Sequence, residues 1–325
     1  MSPSFCSGRF SVALFLVISA VPISYLVSLE RAVPSTHVFS YQSSGFFREC
    51  AKWDDAGRRF LVSFMDGGGI GEVVPSDDGD IDALREVTLV KDADLAGNAS
   101  LGIVIDRDRN RLLVAVADLL GNRYSALAAY DMSTWRRVFL AELSSQSKEK
   151  SFADDVAVDA RGNAYVTDAK GSKIWKVDVN GELVSTIESP LFTPPGWYNN
   201  MVALNGIVYH PDGFLIVIHT FSGLLYKIDL TDDKVTVVEV TGGTLRFGDG
   251  LELLSPTKIV VAGSPSARLV KSSDGWRTAT VTGWFSTGMV HRIVSSATVK
   301  EGRVYLNHIV GFGSNKRHIL VEAVF

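Results

Sequence analysis

The stretch DDVAVDARGNAYVTDAKGSKIWKVDVNGELVSTI, residues 154–187, divides into four short apolar and β-branched runs at Ala160-Arg161-Gly162, Ala169-Lys170-Gly171 and Asn180-Gly181. Alternating apolar and polar residues bounded by turn-forming pairs are the pattern of half-buried strands joined by hairpins. One such run of four predicts a small antiparallel sheet. The next segment, NGIVYHPDGFLIVIHTFSGLLYKIDLTDDKVTVVEV at residues 205–240, repeats the arrangement.

Working outward, the last residue of each first strand falls at Trp53, Ile105, Val158, Tyr209, Leu253 and Thr298, at spacings of 52, 53, 51, 44 and 45 residues. Short strands repeating at this period predict propeller blades, because one small sheet buries its faces only against copies of itself. The expected fold is all-β, a six-bladed β-propeller forming one domain over residues 33–325. The final copy offers only three strands, so THVFSY at residues 36–41 is expected to supply the fourth and close the ring.

The chain has 325 residues, 46% of them hydrophobic and 10% aromatic, which excludes a disordered protein. A formal charge of −4 and a pI near 5.9 leave no basic excess for a nucleic-acid backbone. Residues 10–29, FSVALFLVISAVPISYLVSL, carry no charge. They are read, as residues 1–32, either as a cleaved signal peptide or as a signal anchor. Both place the rest in the secretory pathway: secreted, vacuolar, or lumen-facing and membrane-anchored. The sequon Asn98-Ala99-Ser100 fits such a compartment and makes Asn98 a glycosylation candidate. Cleavage leaves Cys50 alone, with no intrachain disulfide.

In a propeller the first strands line the axis, so positions four before each anchor sample one ring. They read Glu49, Leu101, Asp154, Asn205, Asp249 and Val294. Three carboxylates in a low-dielectric channel repel unless protonated or neutralised. A cation removes the conflict, and oxygen donors without Cys or His suit Ca²⁺ first, then Mg²⁺ or Mn²⁺, with Zn²⁺ less natural. The alternative is that these residues only start strands in polar turns. Gly206 is expected to let its strand begin close to the axis. Ten residues beyond the anchors a second column reads Ser63, Ala115, Asp168, His219, Gly263 and His308. Asp168, His219 and His308 are candidates to face the metal as acid, base or orienting groups, although a strand-end histidine often only bonds backbone and Asp168 equally suits a turn cap. The loop ESPLFTPPGWYNNM, residues 188–201, nominates Trp197 and Tyr198 as pocket walls.

These motifs resemble the superfamily of gluconolactonases, regucalcin (senescence marker protein), paraoxonases and strictosidine synthase, over about residues 36–325. ECAKW at residues 49–53, LNGIVYHPDG at 204–213 and FGDGLEL at 247–253 match its ligand motifs, which implies Glu49, Asn205 and Asp249 as metal ligands and Asp249 as proton acceptor. ADDV at residues 153–156 puts Asp154 where the family usually has asparagine. Phe152 stands where regucalcin-like members carry a sugar-reading arginine, which points to a substrate more apolar than an aldonolactone. The blade at residues 162–181 is also similar to NHL repeats and to plant secretory members. The resemblance implies a metal-dependent hydrolase of lactones or related esters, with His219 or His308 as reserve base. The alternatives are a non-catalytic NHL-like binding propeller with a structural metal, and a strictosidine-synthase-like metal-independent enzyme.

Overall fold

The computed structural model describes residues 18–20, 22, 24–25, 36–75, 84–144, 149–288 and 290–325. The apolar segment at residues 10–29 lies largely outside these. Its described members, Ile18, Ser19, Ala20, Pro22, Ser24 and Tyr25, are helical, and no described helix is long and apolar enough to cross a membrane.

Twenty-four strands run through the described chain. They are β1 (Val38–Gln42), β2 (Arg48–Asp54), β3 (Arg59–Phe64), β4 (Ile70–Val73), β5 (Leu84–Val90), β6 (Ala99–Asp106), β7 (Arg111–Ala117), β8 (Ser125–Asp131), β9 (Arg137–Glu142), β10 (Ala153–Val158), β11 (Ala164–Asp168) and β12 (Lys173–Val177). Then follow β13 (Leu183–Glu188), β14 (Leu204–His210), β15 (Phe214–His219), β16 (Leu225–Asp229), β17 (Val235–Thr241), β18 (Gly248–Ser255), β19 (Lys258–Gly263), β20 (Ala267–Lys271), β21 (Thr278–Phe285), β22 (Val294–Lys300), β23 (Arg303–His308) and β24 (Arg317–Ala323).

Consecutive strands pair antiparallel in fours, from β2–β5 to β18–β21, and β22–β24 take β1 as their outer member. Val38 faces Val321 and Gln42 faces Arg317, so the closing strand expected at residues 36–41 forms at Val38–Gln42. Two outer edges also pair in parallel with a neighbouring group, β1 with β5 and β17 with β21. The first strands β2, β6, β10, β14, β18 and β22 touch in a closed cycle. This is the arrangement of a β-propeller.

The turns follow from their aspartates. Asp118, Asp131, Asp159, Asp178 and Asp229 each accept backbone N–H bonds from residues two to four ahead, closing Asx turns between strands. The core is divided rather than central. One hydrophobic layer lies between each pair of adjacent four-stranded groups, such as Leu61, Ile70, Ile103 and Val114 in one and Tyr165, Ile174, Leu215 and Tyr226 in another. Strands covered on both faces read as continuous apolar runs; β7, RLLVAVA, is buried throughout.

Closure between the last group and the first uses side chains on backbone. Thr298 Oγ1 accepts from Trp53 N–H at 2.8 Å and Ser296 Oγ from Ala51 N–H at 3.1 Å, while Asn307 Nδ2 donates to the carbonyls of Arg48 and Glu49 at 2.8 and 2.9 Å. Arg48, 1% exposed, ties the first group together internally and to the connection from β1, where Ser44 Oγ accepts at 3.0 Å. Its guanidinium bonds Glu86 on β5 at 2.5 and 2.9 Å and Asp66 at 2.6 Å, and stacks 4.0 Å over the Phe64 ring. The guanidinium in turn holds the Glu86 carboxyl below its usual range, against the opposing effect of burial.

Removing one partner of a buried pair strands the other charge, so Arg48→Met is expected to lower unfolding free energy by about 3–5 kcal/mol in urea denaturation, whereas Arg48→Met/Glu86→Leu recovers most of it.

Candidate functional site on the channel axis

Each first strand carries one more residue than its neighbour across the same span. Between Leu204↔His219 and Ile207↔Val217 three steps on β14 meet two on β15, and β2, β6, β10 and β18 do the same; β22 advances two against one. Such a bulge re-aims side chains next to it. In five of the strands the irregularity spans the position that the sequence spacing placed on the ring; in β22 the extra residue is Ser295, one past Val294, which itself pairs with His308.

Glycines let the strands meet there. A Cβ on Gly206 would collide with the Asp249 carbonyl and stand 2.6 Å from Leu251 N, and one on Gly102 would collide with Asp155. Gly250 has Ser295 O at 2.7 Å from where its Cβ would be. Close approach, rather than a turn, is what Gly206 is for.

The ring residues converge. Glu49, Asp154 and Asn205 are 9%, 8% and 7% exposed, and Asp249 keeps a partly exposed edge. Burial raises the Glu49 carboxyl well above its usual range, and Asp249, Asp154 and Asp155 raise it further. Asp154 is raised by burial and then by Asp249, Asp155 and Asp168. Asp249 is pushed up to about 7 by burial and by Asp155, against a hydrogen bond from Asn205 that favours its ionised form. Glu49 Oε2 is buried without a hydrogen-bond partner, while the Glu49 carbonyl is pinned by Asn307 and by the Ser295 hydroxyl. Among the described residues no salt bridge reaches Glu49, Asp154 or Asp249. Leu101 is the buried apolar member of the ring, while in the sixth strand the buried Val294 pairs with His308 and Ser295 occupies the bulge.

The donor chemistry suits a hard divalent cation: oxygens only, excess negative charge, and one orphaned carboxylate oxygen. As they stand, no three His, Cys, Asp or Glu side chains among the described residues are gathered around a common point for a metal.

The second column divides. Asp168 lies close enough to raise Asp154, yet one of its oxygens accepts from the N–H groups of Phe152, Lys170 and Gly171, which is a turn cap, and the other is unpartnered. Ser63 accepts from Cys50 N–H. His219 and His308 are fully buried between strands. His219 Nδ1 lies 3.5 Å from Ser222 N, and Nε2 is buried without a hydrogen-bond partner. His308 Nε2 lies 3.1 Å from Thr287 Oγ1. Burial depresses them to about 4 and about 3, so both are neutral, and the groups that act most on the ring carboxylates are acids and lysines rather than these histidines. Trp197 and Tyr198, 81% and 46% exposed, form a 3-10 turn (Trp197–Asn200) in the connection leading into β14, at the ring's end of the molecule. Asn98 is half-buried in the connection before β6.

Asp155 joins the site although the repeat spacing does not single it out. Its oxygens accept Val156 N–H at 2.9 Å and Ile207 N–H at 3.2 Å, bridging two first strands, and burial raises it to about 6. The doubled aspartate in ADDV was the available signal, but strict strand alternation sends Asp154 and Asp155 to opposite faces.

No family profile matches the chain, and no curated protein matches it in sequence. Solved structures share the fold. The Malassezia sympodialis allergen Mala s 1 superposes with a TM-score of 0.70 at 17% identity, over 90% of this chain and 97% of that one. A protein of unknown function from Bacteroides caccae gives 0.56 at 15%, over 78% and 87%. Virginiamycin B lyase from Staphylococcus aureus, solved in a catalytically inactive form with quinupristin, gives 0.57 at 10%, over 86% and 82%. The lyase is a β-propeller of the same general kind. At these identities the likeness defines the fold class and not an activity.

Two outcomes follow. Gly206→Ala is expected to destabilise by about 1–3 kcal/mol in thermal or urea unfolding, because backbone atoms leave no room for the methyl group. With chelator present, the folded state holds the Asp249 proton to about pH 7 whereas an unfolded aspartate releases it near ~3.9. Stability is therefore full below about pH 4 and is lost as pH rises toward 7. Tm at pH 5 should exceed Tm at pH 8, and Asp249→Asn should flatten the slope.

Proposed function

We propose that the chain is a six-bladed β-propeller that holds a divalent cation, Ca²⁺ ahead of Mg²⁺, Mn²⁺ and Zn²⁺, at Glu49, Asp154, Asn205 and Asp249, and hydrolyses a small lactone or related ester there. The observation that carries this reading is three mutually repelling, buried carboxylates on one ring with no salt-bridged cation among the described residues. Six four-stranded groups in a closed cycle support the blade count. The matched motifs ally the chain with the gluconolactonase, regucalcin, paraoxonase and strictosidine synthase superfamily.

A bound divalent ion supplies carbonyl polarisation and a more acidic water. Asp249 is the proton acceptor: its carboxyl titrates near neutrality, and Asn205 stabilises the ionised form. Ser295 and Asn307 fix the Glu49 backbone, so its carboxylate is presented at a set depth. Phe152 packs with the Leu101 layer beside the ring, and Trp197 and Tyr198 offer further apolar surface, which favours an apolar acyl or lactone body. His219 and His308, neutral and enclosed, are reserve bases only if the strands around them open. The N-terminal segment assigns the protein to the secretory pathway, with Asn98 available for a glycan and residues 10–29 for membrane anchorage if they are retained.

A second reading, a binding propeller whose metal only ties strands together, is favoured by the buried, neutral histidines, which are enclosed between strands rather than presented to a substrate.

The purified protein should contain about one divalent ion per chain, chelation should lower its Tm, and Asn205→Ala and Asp249→Ala should each lose the ion. Asp249→Ala should also abolish lactone or aryl-ester turnover while keeping the β-sheet circular dichroism. Metal content without turnover of any lactone or ester selects the binding reading; a metal-free chain indifferent to Ca²⁺ removes both and leaves the polar ring as a structural or amine-binding feature.

A further inference from the structure

Exposed apolar side chains are unevenly placed on this molecule. The connections into the first strands and the turns between second and third strands share the ring's end, because each first strand begins beside the end of the second: Ala99 pairs with Ala117 and Leu204 with His219. Among the described residues from 36 on, every exposed Trp, Tyr, Phe and Met except the terminal Phe325 lies at that end. We propose that this face docks on a phospholipid surface, its apolar tips entering the headgroup layer around the channel mouth.

Single exposed apolar residues are ordinary. These are held out by the backbone. Leu120, 94% exposed, tips a turn closed by Asp118, whose carboxylate accepts from Leu120 N–H and Gly121 N–H at 2.9 and 2.8 Å. Trp197 tips the loop at residues 188–201, which Asn199 and Asn200 brace by donating to the Pro195 and Pro194 carbonyls at 2.6 and 2.9 Å. Phe247 and Ile293, 50% and 46% exposed, each precede a first strand at φ of 59° and 52°, a left-handed backbone that is costly for bulky and β-branched residues. Tips fixed in this way lose little freedom on docking.

The tips come from separate loops around the mouth. A protein partner would need a socket for each, whereas a fluid headgroup layer accepts them all. Charge supports the same partner. Arg246 lies 5.9 Å from the centre of the Tyr198 ring, Arg292 4.9 Å from that of Phe312 and Lys316 5.0 Å from that of Phe46. Rings flanked by cations are the composition of membrane interfaces, where the ring sits at headgroup level and the cation meets phosphate. Among the described residues no carboxylate pairs with these three cations, and the acids Asp66, Asp94 and Glu149 at this end are taken by Arg48, Arg137 and Lys173. Glu142 and Glu188 end the outer strands β9 and β13, farthest from the axis. The opposite end instead carries ion pairs such as Arg58–Glu301 and Arg107–Asp54. The chain also enters β1 at that opposite end, since Val38 lies beside Val321 while Gln42 reaches Arg317. Docking by the ring's face is therefore separate from any anchorage through residues 10–29.

The test places an environment-sensitive fluorophore on single cysteines of the full-length chain carrying Cys6→Ser, in which the remaining native thiol, Cys50, is buried. On phosphatidylcholine vesicles a label at Met201→Cys should shift to the blue, and one at Asp212→Cys, in the turn between β14 and β15 at the opposite end, should not. Phosphatidylserine in the vesicles should strengthen binding, and Arg246→Gln/Lys316→Gln should remove that gain. Leu120→Ser/Trp197→Ser/Phe247→Asn, with β-sheet circular dichroism retained, should weaken the Met201 response about 100-fold in vesicle titration. An unshifted Met201 label on protein-bearing vesicles, as anchorage through residues 10–29 alone would give, overturns the proposal. So do an equal shift at Asp212, a shift without vesicles that grows with protein concentration and marks a second copy on this face, a phosphatidylserine gain that persists in the double variant, or an unaltered response in the triple variant. The readout needs neither metal nor turnover, so the ring reading stands or falls separately.

Discussion

Residues 38–42 pair with residues 317–321, and the whole channel depends on that meeting of distant segments. A ring of sheets buries each face only if the last sheet covers the first; left open, two apolar faces would be exposed and the first strands would not converge. The seam is held without a disulfide, since Cys50, the cysteine among the described residues, is a buried free thiol. Two kinds of contact replace it: the β1–β24 ladder and the row of hydroxyl and amide groups from Ser295 to Asn307 on the β2 backbone.

That seam also sets the position of Glu49. Its carbonyl is a junction of the closing row, so the carboxylate faces Asp154 and Asp249 because the backbone behind it is fixed. Electrostatic strain in the ring and mechanical closure of the ring are thus joined in one residue. Packing energy from six inter-sheet layers is what allows three acids to remain crowded, since each layer resists the separation that would relieve them.

The channel crowds unpaired acids at one end and mixes aliphatic residues with Lys52, Arg107, Glu252 and Asp155 at the other, for a local reason. Bulges direct consecutive residues toward the axis where each first strand begins, and regular pairing resumes beyond it, so aliphatic residues line the far end. Glu49, Asp154 and Asp249 therefore collect on one side of the close-packed glycines, while Lys52, Glu252 and Asp155 line the other.

Much of this was written in local pattern. The 44–53-residue period, Asn-Gly and Asp-Gly turn pairs and strand alternation determined an all-β chain of repeated four-stranded units, named residues 36–41 as the closing strand, and put Glu49, Asp154, Asn205 and Asp249 at equivalent positions, because turn chemistry and side-chain period act between near neighbours. Spacing could not separate Asp168 the turn cap from Asp168 the site residue, or place His219 and His308, since backbone partners such as Phe152 N–H lie across a loop. Nor could it show Asp155 beside Asp154 on the axis. A bulge exists only where two strands are already paired, and burial of a carboxylate depends on five other sheets; both were decided by the closed tertiary structure alone.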